Sequence, residues 1–310
     1  MAHSDWPALA LADWEDTYLT LHRWTQIVGK LRMRNAAWLN HWWHTTLVVT
    51  PRGLATTTTP CNGRELGITF DFCSHELVVQ SSDKRTETLA LAPMSVAEFY
   101  GRTIELFRRL GADVDIWPVP VEVVDRTPFP DDTKHASYDR RHVEALHRIL
   151  LSVDRVFNAH RGRFLGKSSP SHFFWGAFDL AVTRFSGRRN PQPPADAVMG
   201  EAYSHEVISH GFWPGGDWPT GGRVEDAVFY AYESPAPAGL GDATIRPPQA
   251  TWSAKFGEFM LPYEDVRRAS DPAAMLLDFM ESTYVAAAEL AQWDVDDLQH
   301  ARFATASRAP

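Results

Sequence analysis

The sequence predicts an α+β fold: two similar helix–antiparallel sheet–helix units forming a duplicated domain about a pseudo-twofold axis. Three observations predict it. Two long segments with apolar residues at helical spacing, 14–34 and 139–160, each lead into strand-like runs and end at a further helix. At the matching point of each unit stands a histidine followed by two aromatic residues, His41-Trp42-Trp43 and His172-Phe173-Phe174. A glycine-arginine pair precedes a later strand in both, Gly63-Arg64 and Gly222-Arg223. The stretches from His41 to Thr50 and from His172 to Thr183 differ in length by two residues, an even offset that leaves strand facing unchanged. The expected division is 1–125 and 126–310, packed as one compact body. The competing reading is two unrelated α+β halves.

In the first unit, Leu19, Trp24, Ile27, Val28 and Leu31 mark the helix over 14–34. Strands are expected at 42–50, 66–72, 77–80 and 86–91; in the second of these Leu66, Ile68, Phe70 and Phe72 alternate with Gly67, Thr69 and Asp71, the period of a sheet with one buried face. Ser95 stands three residues before Glu98, a capping box that opens a helix to about Leu110, with Gly111 as its stop. Residues 114–132, rich in proline and valine, read as an extended linker. The second unit then runs helix 139–160, one long strand 172–185, a proline-rich loop 188–194, a Gly-, Pro- and Trp-rich loop 211–222, strands at 228–232 and 251–261, and a closing helix 272–290 capped by Asp271.

Composition excludes several classes. With 310 residues, 44% hydrophobic and 22% charged, the chain is neither disordered nor fibrous. A formal net charge of −9 argues against nucleic acid, which needs clustered Lys and Arg to displace counterions. No stretch approaches the roughly 18 apolar residues of a membrane span. The opening MAHSDWPALALADWED lacks the basic start of a signal peptide, and two cysteines, Cys61 and Cys73, make no disulfide framework. A cytoplasmic location is expected, with pairing of the two thiols in space left open.

Histidine supplies the first candidate chemistry, because neutral imidazole binds metals and titrates near physiological pH. His41 and His44 share one ion only if strand geometry begins after His44. His205, Glu206 and His210 put Glu206 and His210 on one face whether the segment is helix or strand. Two imidazoles and a carboxylate, with a third histidine from His41 or His172, suit iron or zinc. The expected metal set is thus His41, His172, His205, Glu206 and His210, set against packed or surface histidines. Asp179, inside an apolar run, must be paired or protonated; Arg184, Arg163 and Lys167 are the nearest partners, or it orients His172.

The string GRFLGKSS is one residue short of a phosphate loop and follows a helix, so nucleotide hydrolysis is rejected. Lys167 and Arg184 remain candidates to grip an anionic group. Trp43 is a ligand-wall candidate through its triplet. Trp213 and Trp218, in a loop with little packing of its own, suit an aromatic wall or lid.

Several strings resemble a bacterial family catalogued only as a domain of unknown function: LHRWTQIVGK around His22, NHWWH around His41, GKSSPSHFFWGAFDLAVTRFSGRR around His172, AYSHEV around His205 and GFWPGG around Trp213. The resemblance spans nearly the whole chain and supplies no catalytic residues. Residue chemistry leads to the expectation of a small-molecule enzyme, a hydrolase or oxygenase if a metal serves it. Its site lies between the repeats, with His172, Glu206 and Asp179 as catalytic groups acting on a small anionic or aromatic substrate. The alternative is a noncatalytic binding or sensor protein.

Overall fold

A computed structural model describes residues 5–112 and 114–300. The outermost residues of the two expected units, 1–4 and 301–310, lie outside them. The fold is α+β, with seven α-helices and antiparallel sheets among the described residues.

The first half opens with α1 (Leu11–Asn35), buried continuously from Thr20 to Arg32. A helix enclosed this way must find partners for its polar side chains, and that need shapes the site described below. Strands β1 (Val48–Thr50), β2 (Gly53–Ala55), β3 (Thr59–Cys61), β4 (Arg64–Asp71), β5 (Glu76–Ser81) and β6 (Thr86–Ala90) follow. They form a meander, β1-β2-β4-β5-β6, with β3 also on β4, and Leu66, Ile68 and Phe70 point from β4 into the core as their alternation predicts. Helix α2 (Val96–Arg109) starts where the Ser95 hydroxyl accepts the Glu98 N–H at 3.1 Å. It stops before Gly111, at φ 74°.

The second half has α3 (Arg140–Arg161), β7 (His172–Phe174), β8 (Asp179–Arg189), α4 (Ala197–Ala202), β9 (His205–Trp213), β10 (Gly216–Asp217), β11 (Arg223–Val224), β12 (Val228–Ser234), β13 (Thr251–Ser253) and β14 (Glu258–Pro262). Helices α5 (Tyr263–Arg268), α6 (Pro272–Leu290) and α7 (Val295–Leu298) close the chain. The main sheet has the order β7-β8-β9-β12-β14-β13, and β10 pairs only with β11. The two large sheets meet at their first strands, where Leu47 and Phe173 exchange both backbone hydrogen bonds at 2.9 Å.

Four local expectations are corrected. Residues 42–50 are not one strand: 40–42 form a 3-10 turn, with His41 and Trp42 at positive φ, and the Thr45 and Thr46 hydroxyls bond back to the carbonyls of Trp42 and Trp43. The run 172–185 is a hairpin, folded back at Trp175 to Phe178, with Phe178 at φ 62°. The stretch 251–261 is likewise a hairpin, β13 to β14, turning at Gly257 with φ 71°. The loop at 211–222 is partly strand, since β9 runs to Trp213. The glycine-arginine pairs also differ in setting: Gly63-Arg64 leads into β4, whereas Gly222-Arg223 lies in the separate β10–β11 ribbon. Cys61 and Cys73 are free thiols, one buried and one exposed. No helix among the described residues is long and apolar enough to cross a membrane.

Candidate active site

Strand alternation decides where the expected site residues go. On β7, β8 and β9 the side chains of Phe173, Val182, Arg184 and His210 face α3 and α6, while His172, Asp179, Phe185 and His205 face away. On that outer face His41, Trp43, Lys167, His172 and His205 come together. His41 and His172 both contact Trp43, at ring separations of 5.3 and 6.0 Å, and His205 lies 6.0 Å from His41. The Lys167 ammonium donates to His41 Nε2 at 2.6 Å and sits over Phe185 and Trp43, while His41 Nδ1 donates to the Ala202 carbonyl at 3.1 Å. Burial, then the Lys167 charge, lowers the His41 pKa. His172 is lowered to about 4, by burial first and then by Arg161 and Arg32.

The five proposed metal ligands are therefore split across the sheet and cannot share one ion in this arrangement. Glu206 is held by Arg188 at 2.7 Å and by the Ser186 hydroxyl, and His210 bonds the Thr283 hydroxyl at 2.9 Å on the helix face. Among the described residues no three His, Cys, Asp or Glu side chains gather as a metal-holding group. Strand geometry does begin after His44, but the positive φ values of His41 and Trp42 turn the two imidazoles apart: His44 Nδ1 accepts the Leu39 N–H, and its ring stacks on Trp42. Arg184 is not available to an anion. It is buried against Glu281 at 3.3 Å and donates to the His160 carbonyl. Asp179 pairs with none of the expected cations; its partner is the Tyr230 hydroxyl, and no hydrogen bond joins it to His172. Burial, partly opposed by Tyr230, pushes the Asp179 carboxyl up to about 7.

A cavity of about 220 Å³ lies elsewhere, where α1, the connector after α2, the β7–β8 turn and the loop after β9 converge. Helix α1 gives it Tyr18, His22 and Arg23; the connector gives Glu122, Asp125, Lys134 and His135; the second half gives Ala177, Trp213, Asp217 and Trp218. The buried polar residues of α1 hold these pieces together. His22 Nε2 donates to the Gly176 carbonyl at 2.8 Å, and the Gln26 amide bonds both backbone groups of Val121 at 2.8 Å. Burial lowers the His22 pKa to about 3, so this imidazole is neutral. Tyr18 stacks on His22 at 5.7 Å, and its phenol is pushed up by burial. Trp213 and Trp218, both on the cavity lining, meet nearly perpendicular at 5.6 Å.

The chemically distinctive group is on the connector. Asp132, 1% exposed, accepts from His135 Nδ1 at 2.8 Å and from the backbone N–H groups of Lys134 and His135. Its Oδ2 also lies 3.2 Å from Arg23 Nε, an ion pair whose guanidinium donates to the carbonyls of Leu19 and Asp125. His135 is thereby fixed in one tautomer, and its Nε2 has no hydrogen-bond partner among the described residues while the ring lines the cavity. Burial and Arg23 lower its pKa, with Asp132 opposing. This pair was missed in the sequence because residues 114–132 read only as linker; the Asp-x-x-His spacing at 132–135 was the available signal.

The fold and this cleft define an α+β protein of two antiparallel sheets with a small cleft lined by residues from both halves. The chain belongs to the Family of unknown function (DUF5996), whose profile matches residues 6–300. No curated protein and no solved structure matches it.

Proposed function

We propose that this chain is a small-molecule enzyme that uses the cleft for acid–base chemistry, with His135 as the proton-transferring group and Asp132 positioning it. The Asp132–His135 pair carries the reading. A neutral imidazole with one nitrogen tied to a buried carboxylate presents the other as a base, and proton transfer by such a group contributes about 10²–10⁴-fold to a rate. Tyr18, Trp213 and Trp218 provide an apolar wall. His22, already committed to the Gly176 carbonyl, serves as structure.

The test is a screen of small metabolites by thermal shift, followed by product analysis of each compound that stabilises the protein. Expected is turnover that falls at least about 100-fold in His135→Gln with ligand affinity kept. A bound compound recovered unchanged would favour the sensor reading, and unimpaired turnover in the variant would remove His135 from the chemistry. The two free thiols fit a reducing cytoplasm.

The reading includes an internal duplication. Both main sheets are antiparallel and led by a long helix, and the reciprocal Leu47–Phe173 pair is what a twofold axis between β1 and β7 generates. That equivalence spans 173 − 47 = 126 residues, against 172 − 41 = 131 for the aromatic triplets, so the triplets would not be the equivalent positions. Superposing β1-β2-β4-β5-β6 on β7-β8-β9-β12-β14 tests it; a fit that matches no more than one hairpin rejects the duplication.

A further inference from the structure

We propose that the cleft takes a small organic cation, an ammonium or guanidinium on an apolar body, with Glu122 as its counter-charge. This rests on the cleft being the working site and names the ligand class.

The charged groups around the cavity are almost all spoken for. Arg223 binds Glu15 through two nitrogens, at 2.8 and 3.0 Å, and reaches Asp217 at 3.4 Å. Lys134 pairs with Asp125 at 3.1 Å, and Arg23 is held by Asp132 and two carbonyls. An incoming anion therefore meets no uncommitted cation. Glu122 is the exception: it lines the cavity, is open to solvent, and has no ion-pair partner among the described residues. A carboxylate at the cavity with no cation beside it is free to pair with an incoming positive charge, and the aromatic walls exclude the water that would screen that pair.

Its placement is built into the backbone. Glu122 adopts φ 52°, unusual for a residue with a Cβ, and its carboxyl packs on Gly176, where an added Cβ would stand 2.2 Å from Oε1. Behind it lies no cation: Asp179 is near enough for the Glu122 charge to raise its pKa, and its bonded partner is a neutral phenol. The rest of the wall is aromatic, with Tyr18, Trp213 and Trp218 offering ring faces and edges to a cation. Volume limits the ligand: 220 Å³ is below the roughly 300–1,000 Å³ of drug-sized pockets.

The experiment is titration calorimetry of the full chain at neutral pH with benzylamine, benzyl alcohol, benzoate and tetramethylammonium. Expected is binding of at least one of the two cations, with benzylamine at least tenfold tighter than benzyl alcohol and no binding of benzoate. In Glu122→Gln the amine loses that preference and matches the alcohol, with the far-UV spectrum unchanged. Gly176→Ala, which leaves the charge but displaces the carboxyl, gives the same loss. Binding of neither cation, benzoate binding as tight as the amine, or a preference that survives in Glu122→Gln overturns the proposal. These readouts require no turnover, so cation binding without chemistry removes only the enzymatic reading.

Discussion

Replacing Asp132 by alanine isolates the interaction on which the cleft is built. The Asp132 and Arg23 side chains are each 1% exposed, so the carboxylate cannot be replaced by solvent. In the variant the guanidinium keeps the Leu19 and Asp125 carbonyls but loses its nearest opposing charge, with only the more distant Asp125 carboxylate left, and the N–H groups of Lys134 and His135 lose their acceptor. Removing one partner of a buried pair costs about 3–5 kcal/mol. At about 2 °C per kcal/mol for a chain of this length, the melting temperature falls by about 6–10 °C. Urea unfolding followed by far-UV circular dichroism reads the loss directly. The ion pair is separated from mere packing by a double-mutant cycle with Arg23→Met. That substitution removes the stranded charge, so the double variant is more stable than the sum of the two single losses requires, by about 2 kcal/mol. An Asp132→Ala loss under about 1 kcal/mol, or single effects that add within about 0.5 kcal/mol, would refute the argument.

Two other substitutions probe the outer face of the second sheet. Asp179 has a folded-state pKa of about 7 against 3.8 for the free group, so the folded protein holds more protons between those values and loses stability as pH rises through them. Asp179→Asn lacks this decline. Its stability relative to wild type rises by up to about 1.4 kcal/mol per pH unit from pH 4 to 7 and then levels; parallel urea-midpoint curves would contradict it. Gly211 lies across from Tyr230, and a Cβ there would stand 2.0 Å from the phenol ring. Gly211→Ala should therefore cost about 1–3 kcal/mol in chemical denaturation and displace Tyr230 from Asp179, whereas an unchanged midpoint would show that the ring moves freely.

What the sequence disclosed follows from how local each signal is. The Ser95 and Asp271 caps, the alternation of β4 and the closing helix depend on neighbours a few residues away, and the structure has them where the sequence reading puts them. The hairpin within 172–185 escaped because Trp175 to Phe178 bends with apolar residues, and Phe178 takes a left-handed conformation more often adopted by glycine or asparagine. Gly257, at φ 71°, is the local signal for the turn between β13 and β14 within the run 251–261. The cleft was harder to read for a different reason. His22, Arg23 and Gln26 look like interruptions of a core helix until the connector and the β7–β8 turn are seen against them. Asp132 and His135 gain meaning only once α1 supplies Arg23 across more than a hundred residues of chain. Strand parity alone places Asp179 and Arg184, five apart on one strand, on opposite faces of the sheet.

The walls of the cleft come from stretches far apart in the chain, beginning with Glu15 on α1 and ending with Trp218 beyond β9. During synthesis the N-terminal meander and its helices can leave the ribosome with only one side of the cleft in place. A compound that fills it can act as a folding aid only late, after translation has passed Trp218. Added ligand should accordingly rescue unstable variants of the finished chain while doing nothing for translation products truncated before that point.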